Sequence, residues 1–207
     1  MMKTMLYTLL LLLPLCANAD EKAKALLDKA VAQVEASMPM TMTFHYEMYD
    51  DAGSLQMTDD GSVTISGRDK YNVSLSFMKI WCDGTRQWSY MAHTNEIYIT
   101  SPDSEDGLRF SPLYMMQLYK NGYESTLTTS DNNNIVELKA IGPADIDMLK
   151  LTIDRATLQM KSAQLYMPEG RIDITVKAYD KKIKVADGNF ICPVNEYTDA
   201  EIIDMVN

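Results

Sequence analysis

Apolar and polar residues alternate with a period of two through most of the chain beyond Met40, and this confines the fold to antiparallel sheet. Met42, Phe44, Tyr46 and Met48 alternate with Thr43, His45 and Glu47. Val63 and Ile65 alternate after Asp59-Asp60-Gly61, and Tyr71, Val73, Leu75 and Phe77 alternate with Asn72, Ser74 and Ser76. Residues i and i+2 share one face of a strand, so each run has one apolar side to bury. The breaks are short and rich in turn formers: Asp50-Asp51-Ala52-Gly53, residues 67–70, Cys82-Asp83-Gly84 and Ala92-His93-Thr94-Asn95. They are too short for a crossover helix, so a meander is the economical topology. Residues 81–100 are the densest part, with Trp88 and Tyr90 on one face of one run and Ile97 and Ile99 on one face of the next.

Two segments break the alternation. Residues 20–38 carry Leu27, Ala30, Val31 and Val34 at helical spacing, with Pro39 just past the end. Residues 113–120 follow Pro112, carry Leu113, Met116, Leu118 and Tyr119, and stop at Asn121-Gly122. Such a short, apolar, Met-containing helix between two groups of strands suits a lid or plug. Strands resume at 123–129, 134–141, 150–154 (Leu151 and Ile153 on one face) and 158–167. Ile172, Ile174 and Val176 alternate after Pro168-Glu169-Gly170, and a last run passes Ile183, Val185 and Phe190 to Cys192-Pro193. Thr198 and Glu201 have capping-box spacing, so 198–206 reads as a short helix or a last strand. The result is an α+β domain over 20–207, with about ten to eleven strands bending towards a barrel or half-barrel. Its inner face is expected to hold Phe44, Tyr46, Val63, Ile65, Tyr71, Val73, Leu75, Trp88, Tyr90, Ile97, Ile99, Leu151, Ile153, Ile172 and Ile174, with Leu113 and Met116 of the short helix closing it. For each residue taken singly, a closed core accounts for the pattern. The set as a whole, with its tyrosines and 13 of the chain's 16 methionines lying beyond residue 19, also suits a wall that adapts to varied apolar guests.

The first 19 residues have the marks of a secretory leader: Lys3, an apolar run over 5–15, and Ala17-Asn18-Ala19 as cleavage site before Asp20. The alternative, a lipid anchor on Cys16, places Leu15 where a small residue is expected. Cleavage removes Lys3, so 18 basic residues face 29 acidic ones and the net charge becomes −11. That balance disfavours nucleic acid and anionic membrane surfaces as partners. Cys82 and Cys192 remain, in a compartment that permits a disulfide between them; two small buried side chains are the alternative. Enzyme motifs are absent. His45 lies opposite Phe44, His93 lies in a turn, and nothing orients a Cys82–His93 pair. Asp50-Asp51 and Asp59-Asp60 read as turn carboxylates, without EF-hand spacing. No cofactor or metal is expected.

The order of signals resembles the periplasmic outer-membrane lipoprotein carrier (LolA-like) family. A leader and an amphipathic helix precede strands that reach D-G-x-x-x-W-x-Y, here Asp83-Gly84-Thr85-Arg86-Gln87-Trp88-Ser89-Tyr90. Ser111-Pro112 before the apolar helix resembles the family's lid, and Phe190-Ile191-Cys192-Pro193 its terminal F-x-x-P strand. The resemblance implies an incomplete antiparallel barrel whose cavity takes the acyl chains of lipoproteins. The implied partners are an inner-membrane transporter that releases them and an outer-membrane acceptor, the carrier acting as a monomer. It also implies an arginine that holds the lid shut. Aligning Tyr71-Asn72 with the family's aromatic-Asn puts Gly67 at that position and Arg68 one residue later, and a one-residue shift reverses the face of a strand. The reading from a different class is a lipid-binding or sensor domain of an envelope complex that does not shuttle.

Overall fold

The computed structural model describes residues 14–102 and 112–206. Residues 1–13 of the expected leader and residues 103–111, ahead of the short helix, lie outside the described residues. α1 spans Pro14–Ser37 and contains the helix expected from 20 onward. Ala23, Leu27, Ala30 and Val31 are buried along one stripe, which fixes the face it turns to the sheet.

Twelve strands form one sheet: β1 (Met40–Asp50), β2 (Leu55–Gly67), β3 (Lys70–Ser74), β4 (Met78–Asp83), β5 (Gln87–Met91), β6 (Glu96–Thr100), β7 (Tyr123–Ser130), β8 (Asn133–Ala140), β9 (Met148–Asp154), β10 (Met160–Met167), β11 (Gly170–Lys181) and β12 (Glu201–Asp204). Their order is β12-β6-β5-β4-β3-β2-β1-β11-β10-β9-β8-β7. Two antiparallel meanders, β1 to β6 and β7 to β11, are thus joined by the β1·β11 pair, and among the described strands only β12·β6 is parallel. α2 (Pro112–Gln117), continued by a 3-10 turn over Leu118–Lys120, links the meanders.

The sheet curls into an open barrel, and local features help it do so. The β1·β11 ladder slips between Thr43 and Phe44, a bulge that bends the strand. Phe44 lies opposite Gly61, where a Cβ would come within 2.7 Å of Leu75 and 2.8 Å of Phe44, so glycine lets both side chains close over β2. The Cys82-Asp83-Gly84 turn is held by Asp83 Oδ1, which accepts from Thr85 N, Thr85 Oγ1 and Arg86 N at 2.8 Å each, with Gly84 at φ +97°.

The C-terminal part differs from expectation. The run through Ile183, Val185 and Phe190 is not a strand: Asp187–Phe190 and Val194–Glu196 are 3-10 turns. The capping-box segment ends in β12, paired with β6, rather than in a helix. This segment crosses the outer face of β3 to β6 as a strap.

Candidate functional site

The concave face gathers one large apolar cluster from α1, α2 and the strands from β1 to β4 and β7 to β11. Phe44, Tyr46, Val63, Ile65, Tyr71, Val73, Leu75, Leu113, Met116, Leu151, Ile153, Ile172 and Ile174 all belong to it. At its centre is a pocket lined by Met42, Phe44, Tyr46, Val63, Val73, Leu75, Met115, Met160 and Ile174. Its free volume is about 30 Å³, room for about one or two water molecules. Met42 was legible, since it shares the alternation of Phe44 and Tyr46. Met160 was not singled out, although it pairs with Ile153. Met115 was missed because a helix that is apolar almost all round gives no periodic sign of which side chain points inward.

α2 is the plug. Leu113, Met115, Met116 and the following Leu118 are buried. A six-residue helix has no independent stability, so α2 owes its shape to this burial. The 3-10 turn after it meets α1 at Asp28: Tyr119 Oη donates to Asp28 Oδ1 at 2.5 Å, and Lys120 Nζ lies 3.7 Å from the same oxygen. Burial, then the Asp28 carboxylate, pushes the Tyr119 phenol up to about 12. Other tyrosines bring polar tips to the apolar wall and satisfy them on backbone carbonyls: Tyr179 Oη on Met160 O at 2.6 Å and Tyr123 Oη on Ile146 O at 2.8 Å. At the foot of α1, Asp20 accepts from Ser125 N at 3.2 Å and from the Ser125 hydroxyl, joining the helix to the edge strand β7. Lys24 first, and then Ser125, holds the Asp20 carboxyl below its usual range.

Four residues expected on this wall lie on the other side of the sheet. Ile80 pairs with Ser89 and Trp81 with Trp88, so with Ile80 on the concave face, Trp88 and Tyr90 point outward. By the same register Ile97 and Ile99 point outward. Trp88, Ile97, Ile99 and Cys192 make a second cluster, packed with Trp81, Tyr90, Val194, Tyr197, Ala200 and Val206. The strap supplies its cover. Tyr197 stacks on Tyr90 at 4.5 Å and edge-on to Trp81 at 5.9 Å. Lys70 Nζ meets Asp187 Oδ1 at 2.6 Å, and Asn72 Nδ2 donates to Asn189 O at 2.8 Å.

The cysteines are not bonded. Cys82 faces the concave side and donates to Asp69 O at 3.0 Å, whereas Cys192 lies under the strap, so the sheet separates the two sulfurs. Burial, with a lesser contribution from Glu196, pushes the Cys192 thiol up to about 11, which keeps it protonated and inert. Arg68 does not touch α2. It sits in the β2–β3 turn, largely exposed, with Nη2 at 3.5 Å from Glu35 Oε1 on α1. His45 is on the outer face between Asp60 Oδ1 at 2.8 Å and Thr58 Oγ1 at 3.2 Å. Asp50 and Asp59 accept turn hydrogen bonds from Ser54 N at 2.8 Å and Ser76 N at 2.6 Å.

The family model described as outer membrane lipoprotein carrier protein LolA matches residues 13–171. The chain belongs to the LolA family. The match takes in both helices and ends at the start of β11, so the strap lies beyond it. Among solved structures, an uncharacterized conserved protein from Thermus thermophilus superposes with a TM-score of 0.55 at 10% identity, covering 86% of this chain and 98% of that one. A DUF1329 family protein from Desulfovibrio piger superposes with a TM-score of 0.50 at 12% identity, covering 85% and 98%. A LolA superfamily protein from Nitrosomonas europaea has a TM-score of 0.43 at 12% identity, covering 83% and 98%. At these identities the likeness is one of fold: a helix-covered open sheet. No curated protein matches the sequence. LolA-like proteins are envelope-associated carriers or binding proteins rather than enzymes.

Proposed function

We propose that this protein is a periplasmic carrier that takes the acyl chains of lipoproteins into the concave pocket and passes them towards the outer membrane. The observation that carries the reading is the plug: a nearly closed apolar pocket lined by Met115, on a helix too short to be stable without that burial. Burying an acyl chain is worth roughly 0.8 kcal/mol per CH₂, which would hold a multiply acylated anchor too tightly for release. A guest that must displace Leu113, Met115 and Met116 gains only the difference between its own burial and theirs. The plug thereby lowers the net affinity to a range compatible with hand-over.

In this reading the leader is cleaved before Asp20, leaving an acidic surface that avoids anionic membranes. The cargo comes from an inner-membrane transporter and leaves for an outer-membrane acceptor, with one carrier molecule per cargo. Arg68 is replaced as the latch by Asp28 and Tyr119, which do join α1 to the lid segment. The decisive test is transfer of a labelled triacylated lipoprotein between vesicles, with α2 linked to the sheet by an engineered disulfide. Transfer is expected to stop under oxidation and return on reduction. Equal transfer in both states would refute the plug. Native mass spectrometry with a triacylated lipopeptide, with and without acceptor vesicles, distinguishes a carrier, which gives up the ligand, from a sensor, which keeps it.

A further inference from the structure

Deep on the concave face the wall stops being apolar. Tyr71, Cys82, Gln87 and Thr100 form one cross-strand row through β3, β4, β5 and β6. Ser89 lies one row along, in line with Ile80 and with Val73 of the pocket wall. Two strand spacings, roughly 10 Å, separate Val73 from Ser89. Gln87 is 1% exposed, and Ser89 and Thr100 are 4% each. Tyr71 Oη donates to Gln87 Oε1 at 2.8 Å, which turns the amide so that Nε2 reaches Ser89 Oγ at the long distance of 3.4 Å. Among the described residues Thr100 Oγ1 is buried with no hydrogen-bond partner. A buried hydroxyl left unpaired is a cost that an apolar side chain of the same shape, such as valine, would avoid.

We propose that this row is a polar subsite for the linkage group at the head of an acyl chain, an ester or amide carbonyl. The inference rests on the carrier reading and specifies its ligand. With Gln87 Oε1 occupied by Tyr71, what the row presents is donors: the Gln87 amide N–H groups and the Ser89 and Thr100 hydroxyls. The row contains no charged side chain, so it suits a neutral carbonyl and not a carboxylate. An acyl tail in the apolar pocket then lies beside its own linkage group on β5 and β6, and Thr100 gains the partner it lacks.

The test compares binding of a long-chain fatty methyl ester, the matching N-methyl amide, the free acid and the alkane of equal length to the purified protein and to Thr100→Val and Thr100→Ser. The ester or the amide is expected to bind about 3- to 10-fold more tightly than the alkane, the equivalent of one hydrogen bond. Thr100→Val should remove that preference with alkane affinity unchanged, and Thr100→Ser should keep it. Which linkage is preferred separates a glyceryl ester from an N-acyl amide as the natural group. Thr100→Val removes an unpaired hydroxyl at constant shape, so folding should be intact, and a thermal melt checks this. A preference that survives Thr100→Val, equal affinity for all four probes, or tighter binding of the free acid overturns the subsite while leaving the carrier reading in place. Failure of every probe to bind removes both.

Discussion

On the concave face the strands are covered by α1 and a six-residue helix; on the outer face, β3 to β6 are covered by a strap that ends as a strand. The two clusters draw on similar residue types, and the difference lies in how each cover is held. The strap is held by a backbone ladder from Glu201 to Asp204, by Asn95 Nδ2 donating to Asp199 O at 2.8 Å, and by the rings of Tyr197, Tyr90 and Trp81. On the concave face, Tyr119 and Lys120 just after α2 meet Asp28 of α1, and the helix itself is placed by the burial of its side chains. The strap thus adds a strand to the sheet, whereas α2 meets it through buried side chains.

The sharpest way to break this contrast is to remove one buried group from each side. Trp88→Ala, on the outer face, should lower stability by about 3–5 kcal/mol in denaturant titration. Acyl binding per folded molecule should stay within about twofold; a large loss would put Trp88 back in the binding site. Met115→Ala should cost less, about 1–3 kcal/mol, because the plug is partly free to settle. It should also bind acyl ligands more tightly, since it removes a competitor from the pocket; weaker binding, measured by calorimetry, would contradict the plug. Tyr119→Phe should lower stability by about 0.5–1.5 kcal/mol and speed acyl uptake in stopped-flow mixing, whereas Arg68→Ala should leave uptake unchanged.

Two smaller effects sharpen the picture. The Cys192 thiol has a folded value raised to about 11 from an ordinary 9. Its contribution to stability is therefore full below about pH 9 and is lost as the pH rises through 11. Alkylation of Cys192 should be slow at pH 8 in the native protein and fast once the strap is unfolded. Last, Asp187→Ala removes an exposed ion pair with Lys70 and should leave the denaturation midpoint nearly unchanged, since the ladder and rings already hold the strap.

Much of this was legible in the sequence. Alternation with short turns located the strands, and the spacing of Leu27, Ala30 and Val31 located α1 and its buried face. What alternation cannot supply is which face is inward when both are apolar. In β5, Gln87 and Ser89 face the concave side and Trp88 and Tyr90 face out, so the greasier parity pointed the wrong way. The reason is non-local: the outer face of β5 is dry only because residues 187–206 return to cover it. The same non-locality made 198–206 ambiguous, since its capping box yields to a ladder with β6. The disulfide failed for a related reason, because pairing two cysteines requires knowing that they share a side of the sheet. Arg68 lies in a turn, where its charge reaches Glu35 and not the lid.

The β1·β11 seam has a consequence for how the chain reaches its fold. Met40 pairs with Lys181, and Asp50 with Gly170, so the two meanders meet along strands from nearly opposite ends of the sequence. Contacts of such range form late and slow the collapse of β proteins. Each meander on its own leaves its apolar face uncovered, so the barrel wall cannot close until β11 has emerged. Closure of the barrel is therefore a late event that needs nearly the whole chain.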